Sequence, residues 1–282
     1  MRIGIGSSAY FPEDNPKEGL ERMKAHGYDC MDYQRFGSAA REIYQVTDEE
    51  FEARLTEERR MIEEAGLRVW QIHGVCTFVY GEDGSLDLED CLEKMKRCLH
   101  GAHILRAQYA VFHPMTPFGR GEQEDEERFF RVNRDIFSRL CETAEQEQVT
   151  ICLENVPLPG LPLSRPEQTL SFVKSICHPR MKMCLDSGHC AVFGISPADA
   201  VRMIGKEYLG ALHVHDNDGT ADRHHLPYHG VIDWEEYRQA LTDIGFEGVL
   251  SLECITSRKL PDGIKEHYEI GLAAIAKHLA GR

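Results

Sequence analysis

Residues 209–225 read Leu-Gly-Ala-Leu-His-Val-His-Asp-Asn-Asp-Gly-Thr-Ala-Asp-Arg-His-His. The stretch begins as a short apolar run and then turns into a loop dense with His, Asp and Asn. Four imidazoles and three carboxylates fall between Leu212 and His225. A surface loop seldom needs so many metal-binding groups, and a strand in front of them supplies a rigid base. The pattern predicts a divalent-metal site at the carboxyl end of a strand. Chemistry carried at strand ends is the arrangement of a (β/α)8 barrel, so the other apolar runs are read for what they end on.

Seven more such runs precede or follow it, alternating with longer stretches of helical period. Strands are predicted at 2–6, 29–33, 68–73, 108–113, 149–154, 181–186, 209–214 and 248–253. Helical stripes fall at 48–65, 87–102 and 126–146. In the last of these Phe129, Asn133, Ile136, Phe137, Leu140, Cys141 and Ala144 share one face. Asp48, Asp125, Ser196-Pro197 and Asp233 stand where helix N-caps are expected. Strand–helix alternation predicts a parallel sheet. Eight units of about 35 residues favour closure into a barrel over an open doubly wound sheet. No Gly-x-Gly-x-x-Gly follows the first strand, which weakens a dinucleotide-binding reading. The expected organisation is a single TIM-barrel domain over 1–282, with no linker, low-complexity tract or second core.

Composition bounds the function. The 282 residues carry a net charge of −15, against a phosphate-backbone partner, because nucleic-acid affinity rests on Lys and Arg. No apolar run approaches bilayer length, and Met1-Arg2-Ile3-Gly4 enters a strand pattern without a signal-peptide core. A cytoplasmic protein without a membrane partner is expected. The ten cysteines include no Cys-x-x-Cys pair, and free thiols in a reducing compartment are the expectation.

The strand ends carry the signal. Strand 3 ends at His73, strand 4 at His113, strand 5 at Glu154-Asn155 and strand 6 at Asp186, with His189 three residues on. Strand 7 gives His213 and His215, then Asp222 and His224 in its loop, and strand 8 ends at Glu253. Each alone reads equally well as a satisfied structural residue or a cap. Six consecutive strands closing on metal-capable groups do not. Glu154, Asp186, His213 and Glu253 come from four successive strands and are expected to converge on one ion. Carboxylate oxygen suits hard divalent cations, and imidazole shifts the preference toward Mn, Zn or Co. His213 and His215 alternate through Val214 and point the same way on a strand; His213 is preferred as ligand because it belongs to the strand body. His26, His225 and His229 are expected to be solvated or supporting. Tyr10, Phe11, Trp70 and Phe118 are candidate pocket liners.

The order strand–His, Phe-His-Pro, Leu-Glu-Asn, Leu-Asp-x-Gly-His, His-Val-His-Asp-Asn-x-Gly-x-x-Asp-x-His and x-Leu-Glu resembles the sugar phosphate isomerase/epimerase group of the xylose-isomerase-like (β/α)8 barrels. The resemblance runs from Ile3 to about Glu253 and is most specific over 213–234. It implies one divalent metal, manganese ahead of zinc, magnesium or cobalt, held by Glu154, Asp186, His213 and Glu253. It implies that Glu154 and Glu253 also move the proton, and that His189 lies near the substrate. His73, His113, Asp222 and His224 are expected to contact substrate or support the ligands, and Arg223 to hold a distal hydroxyl or phosphate.

The implied activity is isomerisation or epimerisation of a sugar, ketose or related polyol by proton abstraction α to a carbonyl, through a metal-stabilised enediolate. The expected partner is that small molecule; self-association into a homo-oligomer stays open. The same barrels include the endonuclease IV-type apurinic endonucleases, whose three-zinc pattern falls on His73, His113, Glu154, Asp186, His189, His213, Asp222, His224 and Glu253. Motif flanks lean away from that branch: the chain has Leu-Glu-Asn-Val-Pro, Asp-Ser-Gly-His-Cys and His-Val-His-Asp-Asn-Asp-Gly. A barrel that binds a sugar without turning it over is the remaining alternative. No Lys/Arg cluster follows strands 7 or 8 beyond Ser257-Arg258-Lys259, which leans toward an unphosphorylated substrate.

Overall fold

The computed structural model describes residues 1–12, 15–254 and 259–282. Ser257 and Arg258, part of the one hint of a phosphate site, lie outside the described residues. Eight parallel strands run in the order β7-β6-β5-β4-β3-β2-β1-β8. They are β1 (Arg2–Gly6), β2 (Cys30–Tyr33), β3 (Arg68–His73), β4 (Tyr109–Phe112), β5 (Thr150–Glu154), β6 (Met181–Asp186), β7 (Leu209–His213) and β8 (Val249–Leu252). The seam between β7 and β8 closes through the Val214–Leu252 bridge, with Val214 N donating to Ser251 O and Glu253 N donating to Val214 O. The result is a nearly closed (β/α)8 barrel.

Nine helices wrap the described part of the sheet: α1 (Pro16–His26), α2 (Asp48–Glu64), α3 (Leu88–Ile104), α4 (Glu126–Glu147), α5 (Pro166–Ile176), α6 (Ser187–Val192), α7 (Pro197–Tyr208), α8 (Trp234–Asp243) and α9 (Asp262–Leu279). Short polar side chains start several of them by accepting the amide hydrogens that a first helical turn leaves free. Asp125, Ser196 and Asp233 do this as expected. Asp48 does not. Thr47 is the cap of α2, in a reciprocal capping box with Glu50, and Asp48 is the first helical residue.

Period-two alternation sorts each strand into an outer and an inner face. On β5, Ile151 and Leu153 pack outward into the main core, while Cys152 and Glu154 face the barrel interior. Val111, Cys152, Cys184 and Ala211 form a small plug of their own inside the barrel, directly below the strand ends. Registers Glu154–Cys184 and Asp186–His213 bring neighbouring strand ends to adjacent heights. The chemistry-bearing residues therefore open onto one rim above an apolar floor. All ten cysteines are free.

Candidate active site at the barrel mouth

Two clusters stand side by side on that rim. In the first, one ligand atom each from Glu154, Asp186, His213 and Glu253 lies within 4.8 Å of every other. His213 Nδ1 is 3.0 Å from Glu154 Oε1 and 3.1 Å from Glu253 Oε2. The opposite ring nitrogen, Nε2, is 2.9 Å from Asp32 Oδ2, which also accepts from Gln71 Nε2 at 3.1 Å. A carboxylate behind an imidazole fixes the ring's orientation and tautomer and raises the basicity of the forward nitrogen. Gln34 steadies the other flank, donating from Nε2 to Glu253 Oε1 at 3.2 Å. Asp32, Gln34 and Gln71 were not singled out from the sequence. The available signal was Asp32, a charged residue within the short strand pattern Cys30-Met31-Asp32-Tyr33.

The second cluster joins His189, His215, Asp222 and His224, again with ligand atoms within 4.8 Å of one another. Here backbone carbonyls orient the rings. His189 Nδ1 donates to Asn155 O (2.7 Å), His224 Nδ1 to Glu253 O (2.6 Å) and His215 Nδ1 to Asp216 O (3.4 Å). Each Nε2 is left facing inward: His224 Nε2 is 3.0 Å and His189 Nε2 3.5 Å from Asp222 Oδ2, and His215 Nε2 is 3.8 Å from Asp222 Oδ1. His215 Nε2 also reaches Asp186 Oδ2 at 3.0 Å, so Asp186 links the two clusters. His213 and His215 thus diverge: the strand ends at His213, and the chain turns before His215.

Local sequence explains the turn. Ser187 Oγ accepts from His215 N and donates to His215 O. A Cβ on Gly188 would stand 2.0 Å from His215 Cε1, so only glycine lets the ring pack there. Asp216 then gathers the loop, accepting from the amides of Asn217, Gly230 and Ile232 and from Trp234 Nε1. A Cβ on Gly230 would meet Asn217 O at 2.1 Å. This is the physical content of the His-Asp-Asn…Gly-Val-Ile-Asp-Trp pattern.

His113 and His73 complete the rim beside Glu154. His113 Nε2 is 3.2 Å from Glu154 Oε2, and His73 Nε2 3.9 Å. Glu154 Oε2 is buried yet accepts no aligned hydrogen bond. Arg223 does not join either cluster: its side chain is 53% exposed and lies 3.7 Å from Asp218. The four aromatic candidates are not among the residues that line the cavity beside His113. Tyr10 pairs with buried His26, Phe11 lies under Arg35, Trp70 packs against Arg2, and Phe118 is near Arg128. That cavity, of about 310 Å³, opens between the loops that follow β3, β4 and β5.

The electrostatics of the mouth set buried carboxylates against buried imidazoles. Burial pushes Glu154 up, but the imidazoles of His213 and His113 outweigh it and hold the carboxyl well below its usual range. Asp186 is lowered against burial by His189 and His215. Burial acts to discharge His213, yet Cys184, Glu154 and Glu253, with the bond to Asp32, raise it well above an ordinary histidine. His189 is held up to about 10 against burial by Asp186, Asp222 and Glu154, and His224 to about 9 by Asp222 and Glu253. Buried carboxylates cost several kcal/mol each when uncompensated. The imidazoles compensate only by staying protonated, so a divalent ion and these protons compete for the same place.

Known proteins share this architecture. Residues 20–275 match the model of the family described as xylose isomerase-like TIM barrel. The chain is 31% identical over 186 residues to an uncharacterised Methanocaldococcus jannaschii protein, covering 64% of this chain and 62% of that one. It is 26% identical to D-psicose 3-epimerase of Enterocloster bolteae over 90% of this chain and 82% of that one. It is 21% identical to inosose isomerase of Bacillus velezensis over 90% and 88%. Among solved structures, the IOLI protein with a binding zinc atom superposes with a TM-score of 0.76 at 19% identity, covering 99% of this chain and 98% of that one. By its fold and by the extent of the family match, the chain belongs to the xylose isomerase-like TIM barrels.

Proposed function

We propose that the protein is a divalent-metal-dependent epimerase or isomerase of a sugar, ketose or related polyol, acting as one unit over residues 1–282. The observation that carries this reading is the pair Glu154 and Glu253, which flank His213 Nδ1 at 3.0 and 3.1 Å at the mouth of the barrel. The relatives that cover most of the chain, a psicose epimerase and an inosose isomerase, act on molecules of this class.

The donor set fits a metal. Glu154, Asp186, His213 and Glu253 offer three carboxylates and one imidazole, and buried Glu154 Oε2 lacks an aligned hydrogen bond. Manganese suits that mixture, with zinc, magnesium or cobalt as the other candidates. When bound, the ion supplies a Lewis acid for the substrate carbonyl, an effect worth several kcal/mol. The chain's own residues do the rest. Glu154, held ionised by its imidazole neighbours, is poised to accept the proton α to the carbonyl or to return it, and Glu253 takes the opposite part. Return to the same carbon from the other face gives epimerisation; return to the neighbouring carbon gives isomerisation. Asp32 and Gln34 hold His213 and Glu253 in place for this. The free thiols fit a cytoplasmic setting.

Proton exchange tests the reading directly. The metal-loaded protein is incubated with a panel of ketoses in D2O, and carbon-bound deuterium is read by NMR. Label at the carbon α to the carbonyl, together with an epimer or isomer, supports the proposal. No exchange on any ketose or inosose overturns it.

One second reading has an observation behind it. His73, His113 and Glu154 form a further close group, and the cluster of His189, His215, Asp222 and His224 is nitrogen-rich, as zinc prefers. Those residues fit a zinc-dependent apurinic endonuclease. The net charge of −15 opposes it. Near three zinc ions per chain with cleavage of abasic DNA would establish that reading in place of the first.

A further inference from the structure

The cavity beside His113 differs in chemistry from the clusters it adjoins. Its wall, among the described residues, holds no Lys, Arg, Asp or Glu. Phe78, Leu86, Met95, Met115, Leu158 and Leu161 are among its apolar liners. The Cys76 thiol in the same wall is pushed up by burial and stays neutral. His113 is one of its liners, and its Nε2 is 3.2 Å from Glu154 Oε2. A molecule reacting at Glu154 therefore has this hollow within reach, past His113. Leu158, 51% exposed, lines it, and Val79, 59% exposed, lies between the liners Phe78 and Tyr80. Apolar surface left in water costs about 25 cal/mol per Å². Phosphate recognition calls for Arg, Lys or converging amides. Arg120 lies over the Tyr80 ring at 5.3 Å without forming part of the wall.

We propose that the substrate is a sugar bearing an uncharged, apolar substituent, and that this cleft takes the substituent while the hydroxy-carbonyl end meets Glu154 and Glu253. The assignment of the reacting end rests on the epimerase reading; that of the cleft rests on its wall. Phenyl and methyl 3-keto-β-D-glucopyranosides, which keep a hydroxy-carbonyl beside the substituent, and glucose 6-phosphate serve as probes, titrated calorimetrically into the metal-loaded protein. The phenyl glycoside is expected to bind at least about tenfold more tightly than the methyl glycoside. Leu158→Asp, at a half-exposed position that the fold tolerates, removes that preference and leaves methyl glycoside binding unchanged. Leu161→Ser, in the same loop after β5, acts in the same direction, with its melting temperature checked against the parent. Equal binding of the two glycosides, no measurable binding of the phenyl glycoside, or tighter binding of glucose 6-phosphate overturns the proposal. The two readings fail separately. A phenyl preference lost on Leu158→Asp supports the cleft assignment even where no ketose exchanges a proton in D2O, the outcome that removes the epimerase reading. Exchange without any phenyl preference removes the cleft assignment alone.

Discussion

The two clusters at the mouth each draw on four side chains but have opposite chemistry. The Glu154 cluster is three carboxylates around one imidazole; the Asp222 cluster is three imidazoles around one carboxylate. Their supports differ in the same sense. His213 is backed by a side chain, Asp32, with a full charge behind the ring, whereas His189, His215 and His224 are backed by backbone carbonyls. A carboxylate support can be removed by substitution, and a carbonyl support cannot. The first cluster is therefore tunable from behind and is the one suited to a hard, exchangeable ion and to proton transfer. The second is fixed by the path of the chain and suits a nitrogen-preferring ion.

The largest expected effect lies in the first cluster. Glu154→Gln and Glu253→Gln should each lower kcat by about 10²–10⁴-fold in a folded protein, measured as steady-state turnover of an exchanging ketose. Near-normal turnover in either variant breaks the assignment of both proton-moving roles. Asp186→Ala should lose bound metal and activity together, read by elemental analysis alongside turnover; activity retained without metal removes the ion from the reaction. Asp32→Asn should weaken metal binding by about 10–100-fold. Its metal titration sharpens the contrast, since only the first cluster has a charged support to lose. Asp222→Asn and His215→Asn should leave the first ion in place and remove only metal bound in excess of one per chain. If the first ion is lost as well, the clusters are one site.

The smallest effect is a pH dependence of the metal-free protein. His189 at about 10 and His224 at about 9 lie above the ordinary histidine value near 6.5. Raised folded-state values stabilise fully below about pH 6.5, and that contribution is lost as pH rises through 9 to 10. The melting temperature of metal-free protein should fall between pH 7 and 10, and Asp222→Asn should flatten the fall. A slope unchanged in Asp222→Asn places the titrating groups elsewhere.

Most of the barrel was legible because parallel strands buried on both faces write themselves as short apolar runs. Leu153 and Leu185 face the helices while Glu154 and Asp186 face the lumen, and that alternation survives in any reading of the chain. The ends were less exact where caps decide them: Thr47, one residue before the expected Asp48, closes α2. At the site, every strand-end group named from the sequence reached the mouth, because position on a strand end is a local property. What depends on distant contacts was not legible. Asp32 acquires its role from a ring 181 residues away. His215 was expected beside His213, and only the turn pinned by Ser187 and Gly188 shows that it faces Asp186 and Asp222 instead. Arg223 follows Asp222 in sequence, yet its side chain lies beside Asp218, away from the cluster.

The seam of the barrel has a mechanical consequence. β7 and β8 stand at opposite ends of the sheet order and meet through the Val214–Leu252 bridge, with His213 and Glu253 next to the bridged residues in sequence. Under the proposed ligand set, one ion would span this single-bridge seam of the cylinder like a rivet. Loading the site and fastening the hoop then become a single event. Such a protein would resist being pulled or heated open according to how much of it carries its ion, and a cell short of that metal would hold not an idle enzyme but a looser vessel.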